Sequence, residues 1–336
     1  MKKILVIRLS SIGDIVLTTP VFRCLRKQFP EAEIHWLTKE QYVPVLLANP
    51  NITKIHSFSR KLSEVLPALK AEKFDHVVDL HKNIRSVTTL LTLQRPSTTF
   101  PKLNFRKFLL TTIGINLLPP IHIVDRYFKA VEPLGVKNDG QGLDFFIPGE
   151  TEENETQVPE TFRQGYIAWV IGGKFGTKIY PEDKIIRICK SLKSPIILLG
   201  GKEDASRGER ISNACGTNVF NGCGKMTLFG SAYAVKKASG VITNDTGLMH
   251  IAAAFRKPIL SLWGNTVPGF GMYPYLPPAD IAQSTILEVK GLSCRPCSKI
   301  GFSKCPRGHF DCMNKLPEDT IITWAKSQVS QVRNIL

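Results

Sequence analysis

The chain has 336 residues and a formal charge of +16, with 44 Lys and Arg against 28 Asp and Glu. That length holds two cores rather than one, and no apolar run reaches the roughly 18 residues needed to span a bilayer. The positive excess selects anionic partners, but without a basic helix or an aromatic-bearing sheet signature it excludes a nucleic-acid module.

From the N-terminus, residues 3–9 form an apolar strand pattern and Ser10-Ser11-Ile12-Gly13-Asp14 a loop at its end. Residues 15–29 then follow a helical pattern, with Ile12, Ile15, Val16, Phe22 and Leu25 near one face. Pro20 kinks that helix or marks a late start, because proline has no N–H to give the ladder. Arg8 and Asp14 interrupt the first apolar stretch too early for a secretory signal core, so a cytoplasmic protein is expected. Strand patterns continue at 33–37, 52–55 and 76–80, the last running into His81-Lys82-Asn83-Ile84-Arg85. Arg23, Arg26 and Lys27, with Lys102, Arg106 and Lys107, form either a basic patch for an acidic membrane surface or a solvated face.

Residues 148–157 are acidic and poor in apolar side chains, and the interdomain linker is placed there, dividing the chain into residues 1–155 and 160–336. Beyond it, 166–171 and 195–199 are buried-strand patterns closed by Gly172-Gly173 and Gly200-Gly201, with helix patterns at 181–193, 204–214 and 226–238. A strand at 240–243 then breaks sharply into a helix whose Leu248, Ile251, Ala252 and Phe255 turn one face inward. Asp245 and Thr246 are its capping candidates. Gly247, His250 and Ala254 share the opposite stripe. A helix N-terminus there suits an anion such as a diphosphate, and the plainer alternative is an N-cap followed by a surface histidine. A last strand pattern, 257–263, ends in a Gly-rich loop. Strands buried on both faces and alternating with helices specify parallel, doubly wound α/β sheets, which bind ligands at the C-terminal ends of their strands.

Cys24, Cys189, Cys215 and Cys223 stand singly in strand or helix patterns and read as small buried hydrophobes. Cys294, Cys297, Cys305 and Cys312 instead cluster as C-x2-C-x7-C-x6-C in a Gly- and Pro-broken segment, 294–312. They form a structural tetrahedral zinc site with His309 as a spare ligand, or four free thiols packed under a loop.

The run from Ser10 to Pro20 and the run Asn244-Asp-Thr-Gly-Leu-Met-His250, with Trp263-Gly-Asn-Thr266 beyond, together resemble glycosyltransferase family 9, the ADP-heptose:lipopolysaccharide heptosyltransferases. The resemblance extends to the Cys294-Arg-Pro-Cys297 element that some members share. It implies two facing Rossmann-like domains of the GT-B type with the active site in the cleft: an acceptor-binding domain, 1–155, and a nucleotide-sugar domain, 160–336. It also implies an inverting transfer of heptose from an ADP-sugar to the lipopolysaccharide inner core, with no cofactor required for catalysis. The enzyme would be a monomer, peripheral on the inner membrane.

By the same resemblance Asp14 is the general base, the alternative being a simple helix cap, and Lys178 neutralises the diphosphate leaving group. Gly173 and Lys174 form the phosphate-contacting loop. Glu203, flanked by Lys202 and Asp204, holds the ribose, and Met226 packs on adenine. Thr246, Gly247 and His250 hold the diphosphate, and Asp245 contacts sugar hydroxyls. Ser10, Ser11, Gly13, Lys82 and Arg85 fall on the acceptor side, although His81-Lys82-Asn83 and Arg85 equally fit a plain helix start. Arg126 matches a further family position. The same fold with another sugar or acceptor, or a nucleotide-binding protein without turnover, are the alternatives.

Overall fold

The computed structural model describes residues 1–149 and 158–333, so the expected linker at 148–157 lies outside the described residues from Glu150 on. The chain forms two compact units, Met1–Leu103 with Pro120–Phe146, and Asn104–Pro119 with Ile147–Leu336. The segment Asn104–Pro119 therefore belongs with the second unit although it lies inside the first in sequence.

The first unit is built on strands β1 (Lys3–Ile7), β2 (Glu33–Lys39), β3 (Lys54–Phe58), β4 (His76–Asp79) and β5 (Ser97–Thr99). All pairings are parallel and the order is β3-β2-β1-β4-β5. Its core joins Leu5 and Ile7 of β1 to Leu37, Phe58, Leu69, Phe74 and Val77. The expected helix at 15–29 is two helices, α1 (Ile12–Val16) and α2 (Thr19–Gln28), and Pro20 sits in the first turn of α2. Of the two outcomes foreseen for Pro20 the chain takes the late start, since a first-turn residue needs no N–H partner. Helices α3 (Leu66–Ala71) and α4 (Ile84–Leu93) follow β3 and β4, and α5 (Asn104–Ile113) and α6 (Ile123–Phe128) come next in sequence.

In the second unit β6 (Ile167–Val170), β7 (Ile196–Leu199), β8 (Val219–Asn221), β9 (Gly240–Asn244), β10 (Ile259–Trp263) and β11 (Ser284–Glu288) form a parallel sheet. The order is β11-β10-β9-β6-β7-β8. Helices α7 (Glu182–Leu192), α8 (Ala205–Cys215), α9 (Leu228–Lys237) and α10 (Gly247–Ala254) alternate with the strands, and α11 (Asp311–Asn314) and α12 (Glu318–Arg333) close the chain. Trp169, Ile185, Ile188, Leu198, Ile242, Leu262, Met313 and Ile321 share one core. The neighbours of α10 explain a departure from expectation: the helix packs on β9, β10 and α9, so Met249 and Ala253 are buried as well as Ile251 and Ala252, and His250 lies inside rather than on a surface stripe.

The strand orders locate the sites. In a doubly wound sheet the connections diverge to opposite sides where the order reverses, opening a crevice at the strand ends. That point falls between β1 and β4 in the first unit and between β6 and β9 in the second. The loops leaving those four strands carry Ser10–Asp14, His81–Asn83, Gly172–Lys178 and Asp245–Gly247. Among the described residues no helix is long and apolar enough to cross a membrane.

Candidate functional site

At the first switch point Asp14 occupies the first turn of α1, where its carboxylate accepts from the Ser11 N–H at 3.3 Å and the Ser11 hydroxyl at 2.8 Å. The capping geometry therefore exists, but it is not the whole environment. Arg8 Nη2 lies 2.7 Å from Asp14 Oδ1. The Arg8 guanidinium is 7% exposed, donates to the Ser10 and Leu80 carbonyls, and sits 5.6 Å over the Tyr127 ring. Burial pulls its pKa down, but Asp14 and Tyr127 outweigh that, and the net shift is upward. Arg8 is thus a fixed cation that holds one face of Asp14, and sequence reading passed over it. Its signal was there: it is the charged residue inside an otherwise apolar strand run, KILVIRL, where an unpaired charge would be costly to bury.

The end of β4 brings further cations to the same switch point. Asp79 accepts the N–H groups of His81 and Lys82, each at 2.8 Å, and the Ser86 hydroxyl at 2.8 Å. Asn83 caps α4 by accepting from the Ser86 N–H at 3.0 Å. Asn83 therefore serves the helix start, and Arg85 stands exposed in its first turn. Lys82 reaches the Phe100 carbonyl at 3.3 Å, and Lys102 donates to the His81 and Lys82 carbonyls at 3.0 Å. Burial, with help from Arg8 and Lys102, pushes the His81 imidazole down to about 3, so it is neutral near pH 7. Gly13 is buried beneath this loop and Ser11 is exposed on it. Arg126, the further family position, is buried in α6.

Of the six cations that make either a basic patch or a solvated face, Arg23, Arg26 and Lys27 have partners within the first unit. Arg23 is ion-paired to Asp139 at 2.8 Å and to Asp144, and Lys27 to Asp139 at 2.6 Å. Arg26 donates to the Pro30 and Ala32 carbonyls and to Thr53. Acidic residues far away in sequence pair with Arg23 and Lys27, which periodicity gives no way to foresee.

In the second unit Lys178 and Asp245 meet: Nζ lies 2.6 Å from Oδ2, and the Thr266 hydroxyl donates to the same oxygen at 3.0 Å. Asp245 is therefore not a cap. Thr246 has the extended backbone of an N-cap residue, yet no side chain caps α10. Asn244, missed as a separate residue, donates its amide to the carbonyls of Val170, Ile171 and Gly172 at 3.1–3.4 Å, tying the end of β9 to the end of β6. Together these place a lysine beside an uncapped helix N-terminus, a combination that suits a phosphate-bearing ligand. Gly247 leaves that N-terminus open, and His250 is buried one turn further in, at 2% exposure.

The other donor-side candidates lie on the loops that follow β6, β7 and β8. Glu203 is exposed on the turn after β7, whereas Asp204 is buried, accepts from the Gly201 N–H at 3.0 Å and lies 3.5 Å from Arg207. A Cβ on Gly172 would come within 2.3 Å of the Asp204 carboxylate, and one on Gly200 within 2.8 Å, so these two glycines make room for that acid. Met226 lies over Gly222 at the end of β8. Gly173 packs close to Ile179, while Lys174 is exposed with its ammonium 5.8 Å from the Phe175 ring.

The cysteine segment braces this unit's strand-end loops. Thr177 takes its N–H to the Phe302 carbonyl at 3.1 Å, and Cys297 takes its own to the Asn265 carbonyl at 3.2 Å. Arg295 donates to the Gly264 and Thr266 carbonyls and pairs with Glu288 at 2.7 Å. Cys294 Sγ lies 3.7 Å from His309 Nε2, and the Cys297 thiol donates to the Cys294 carbonyl at 2.8 Å. Burial and then neighbouring cysteines raise the Cys297 thiol, and raise that of Cys312 to about 11. Among the described residues the one group with at least three metal-ligand atoms within 4.8 Å of one another is not the cysteine cluster but His35, His56 and Glu72 of the first unit. Its Glu72 is already held by Lys3 at 2.8 Å and Lys54 at 2.5 Å, and His35 Nδ1 bonds His56 Nε2 at 3.0 Å. Glu72 and both ring nitrogens of His35 have partners without an ion.

Comparison with known proteins agrees with this architecture. The profile described as glycosyltransferase family 9 (heptosyltransferase) matches residues 63–301. Lipopolysaccharide heptosyltransferase 3 of Escherichia coli K12 is 25% identical over 281 residues, 76% of this chain and 80% of that protein. A solved glycosyl transferase family 9 structure from Veillonella parvula superposes with a TM-score of 0.78 at 24% identity, covering 98% of both chains. The structure of E. coli ADP-heptose lps heptosyltransferase II gives 0.73 at 19% identity, over 98% of this chain and 99% of that one. Two parallel α/β units of this kind have the GT-B architecture, and the family match makes the chain a glycosyltransferase of that type. Within that class, the chain belongs to glycosyltransferase family 9. The matched stretch begins beyond the Ser10–Asp14 loop and ends between Cys297 and Cys305.

Proposed function

We propose that this enzyme transfers a heptosyl group from ADP-heptose to the inner core of a lipopolysaccharide precursor with inversion at the anomeric carbon. The names of its relatives support the sugar and acceptor, and the Lys178–Asp245 pair at the uncapped start of α10 carries the donor assignment. A diphosphate bound there accepts from the free N–H groups of α10 and draws Lys178 from its pairing with Asp245. Glu203 and Met226 serve ribose and adenine, and Asp245, once released, is free to bond sugar hydroxyls.

In the first unit Asp14 takes the proton of the attacking acceptor hydroxyl. The acceptor oxygen bonds the anomeric carbon as the bond to the diphosphate breaks on the opposite side, and the electron pair leaves with ADP. Arg8 orients Asp14, and the proton moves late, as the new bond forms. Lys82, Arg85 and Lys102 give the acceptor's carboxylates and phosphates charge-assisted partners. The protein works at the cytoplasmic face of the inner membrane, as a monomer, and requires no cofactor for the transfer.

The test is acceptor-dependent ADP release. Asp14→Asn is expected to lower turnover by roughly a thousandfold, within the range of a lost general base plus its electrostatics, while calorimetry shows ADP binding unchanged. Near wild-type turnover of Asp14→Asn would overturn the assignment of the base. A panel of nucleotide sugars, read by the nucleotide released, checks the donor; tight ADP binding without turnover on any acceptor would favour the binding-protein alternative.

We also propose that the 294–312 cysteines hold a structural zinc ion, with His309 beside Cys294. Ligands at about 2.3 Å (sulfur) and about 2.0 Å (nitrogen) from a tetrahedral ion lie roughly 3.5 Å apart, close to the Cys294–His309 separation of 3.7 Å. Metal analysis of the wild type is expected to find zinc, lost in a Cys294→Ser/Cys297→Ser variant. A metal-free wild type means four free thiols.

A further inference from the structure

Two of the cysteines that stand singly in the sequence meet in the second unit. Cys189 lies in the last turn of α7, 2% exposed and part of the core, and Cys215 is the last residue of α8, half-buried against that same core. Helices α7 and α8 pack on one another. The Cys215 thiol donates to the Ile186 carbonyl at 3.8 Å, one turn before Cys189. A helical side chain covers the turn N-terminal to its own Cα, so Cys189 presents its sulfur to the spot that Cys215 occupies. The two thiols are hydrogen-bonded to one another.

That bond is polarised. It holds the Cys189 thiol protonated, with burial adding to the effect, and it draws the Cys215 thiol below its ordinary value against the opposing effect of burial, helped by Lys190. Cys215 is thus the half of the pair that ionises first and the half that solvent reaches. Cys24 and Cys223 have neither property: both are buried, and burial raises the Cys24 thiol and pushes that of Cys223 up to about 12. A reachable thiolate beside a protonated thiol is the arrangement of an attacking and a resolving cysteine.

We propose that Cys189 and Cys215 are an oxidation site, a dithiol that a hydroperoxide converts reversibly to a disulfide joining α7 to α8. The Cys215 thiolate attacks one peroxide oxygen, the O–O bond breaks, and the electron pair leaves with the second oxygen, which takes a proton from water; Cys215 becomes a sulfenic acid. The Cys189 sulfur then attacks the Cys215 sulfur, the S–O bond breaks, and hydroxide leaves with the Cys189 proton as water. The sulfurs lose two electrons and the peroxide gains them. The rotation that brings the sulfurs to the roughly 2.0 Å of a disulfide falls on Cys215, where α8 ends and the chain turns away through Gly216 at φ +77°. A dithiol reductant reverses the step.

The experiment treats the full chain with hydrogen peroxide, blocks it with N-ethylmaleimide, digests it without reductant and reads the linked peptides by mass spectrometry. A Cys189–Cys215 linkage is expected, absent before peroxide and removed by dithiothreitol. With dimedone present, Cys189→Ala is expected to trap a sulfenic acid at Cys215, whereas Cys215→Ala leaves Cys189 unlabelled. At pH 7 iodoacetamide should modify Cys215 at least roughly tenfold faster than Cys24 or Cys223. Cys189→Ala opens space in the core, so thermal melting accompanies both variants, and the wild-type linkage map depends on neither. Peroxide-treated wild type without the linkage, or dimedone on Cys189 in place of Cys215, overturns the proposal. So does a linkage equally abundant in the urea-unfolded chain, which would make it a product of chance encounter. None of these readings uses a sugar substrate, so the pair stands or falls apart from the transfer reaction.

Discussion

At the scale of single residues, the geometry turns on two ion pairs. Arg8 is buried against Asp14, and removing the guanidinium takes one donor from each of the Ser10 and Leu80 carbonyls and the Asp14 carboxylate. Arg8→Met is therefore expected to lower stability by about 3 kcal/mol, the effect of breaking a buried pair, measured by urea denaturation. It should also lower kcat with ADP affinity unchanged. Arg8→Lys should restore little, since an ammonium cannot span three acceptors with a planar fork. Lys178 and Asp245 give a second, opposite test. Lys178→Ala is expected to cut kcat by roughly a hundredfold or more through loss of leaving-group stabilisation. It also strands Asp245 beside the diphosphate, so adding Asp245→Asn should recover ADP affinity in calorimetry. If the double variant binds ADP no better than Lys178→Ala, the two residues do not share the phosphate.

At the scale of elements, glycine and acid positions shape the strand-end loops. A Gly172→Ala side chain would strike the Asp204 carboxylate, which is buried and fixed by the Gly201 N–H. The expected penalty is about 1–3 kcal/mol, as for overpacking elsewhere, with weaker ADP binding as the β6 loop shifts; thermal melting and calorimetry check both. The elements also show where local pattern stops being informative. The apolar strands β1, β6, β7 and β10 were legible because both faces are buried. The edge strands β5, β8 and β11 were not: partly polar, they become strands only by pairing with a neighbour. Helix α4 carried a helix-start signal at Asn83, yet its apolar stripe faces solvent, and periodicity cannot say which side of a helix meets the core.

For the whole molecule, acid should act through buried imidazoles. Burial first, then His35, lowers His56 to about 4, and burial with Arg8 lowers His81 to about 3, whereas a solvated histidine titrates near 6.5. Below that value the unfolded chain binds protons the folded one refuses, so stability rises with pH in this window. The melting temperature is expected to be flat above pH 6.5 and to fall as pH drops from 6.5 toward 4. His81→Asn should flatten the slope; an unchanged slope would mean His81 is not neutral in the fold. Glu72, held down to about 2 chiefly by Lys3 and then by Lys54, loses its pairing only at still lower pH.

Sequence alone determined that the protein is α/β with parallel sheets, because strands buried on both faces leave an unbroken apolar signature and helices must fill the crossovers. It also determined the family, through two polar loops whose residues are set by chemistry at strand ends. Only the tertiary structure decided what surrounds those residues: Arg8 against Asp14, Lys178 against Asp245, His250 buried, Arg23 neutralised by Asp139. It decided too that residues 104–119 join the second unit. The reason is common to all of these. Patterning records how each residue meets its own strand or helix, whereas an ion pair or a thiol pair depends on residues that folding brings together from distant parts of the chain.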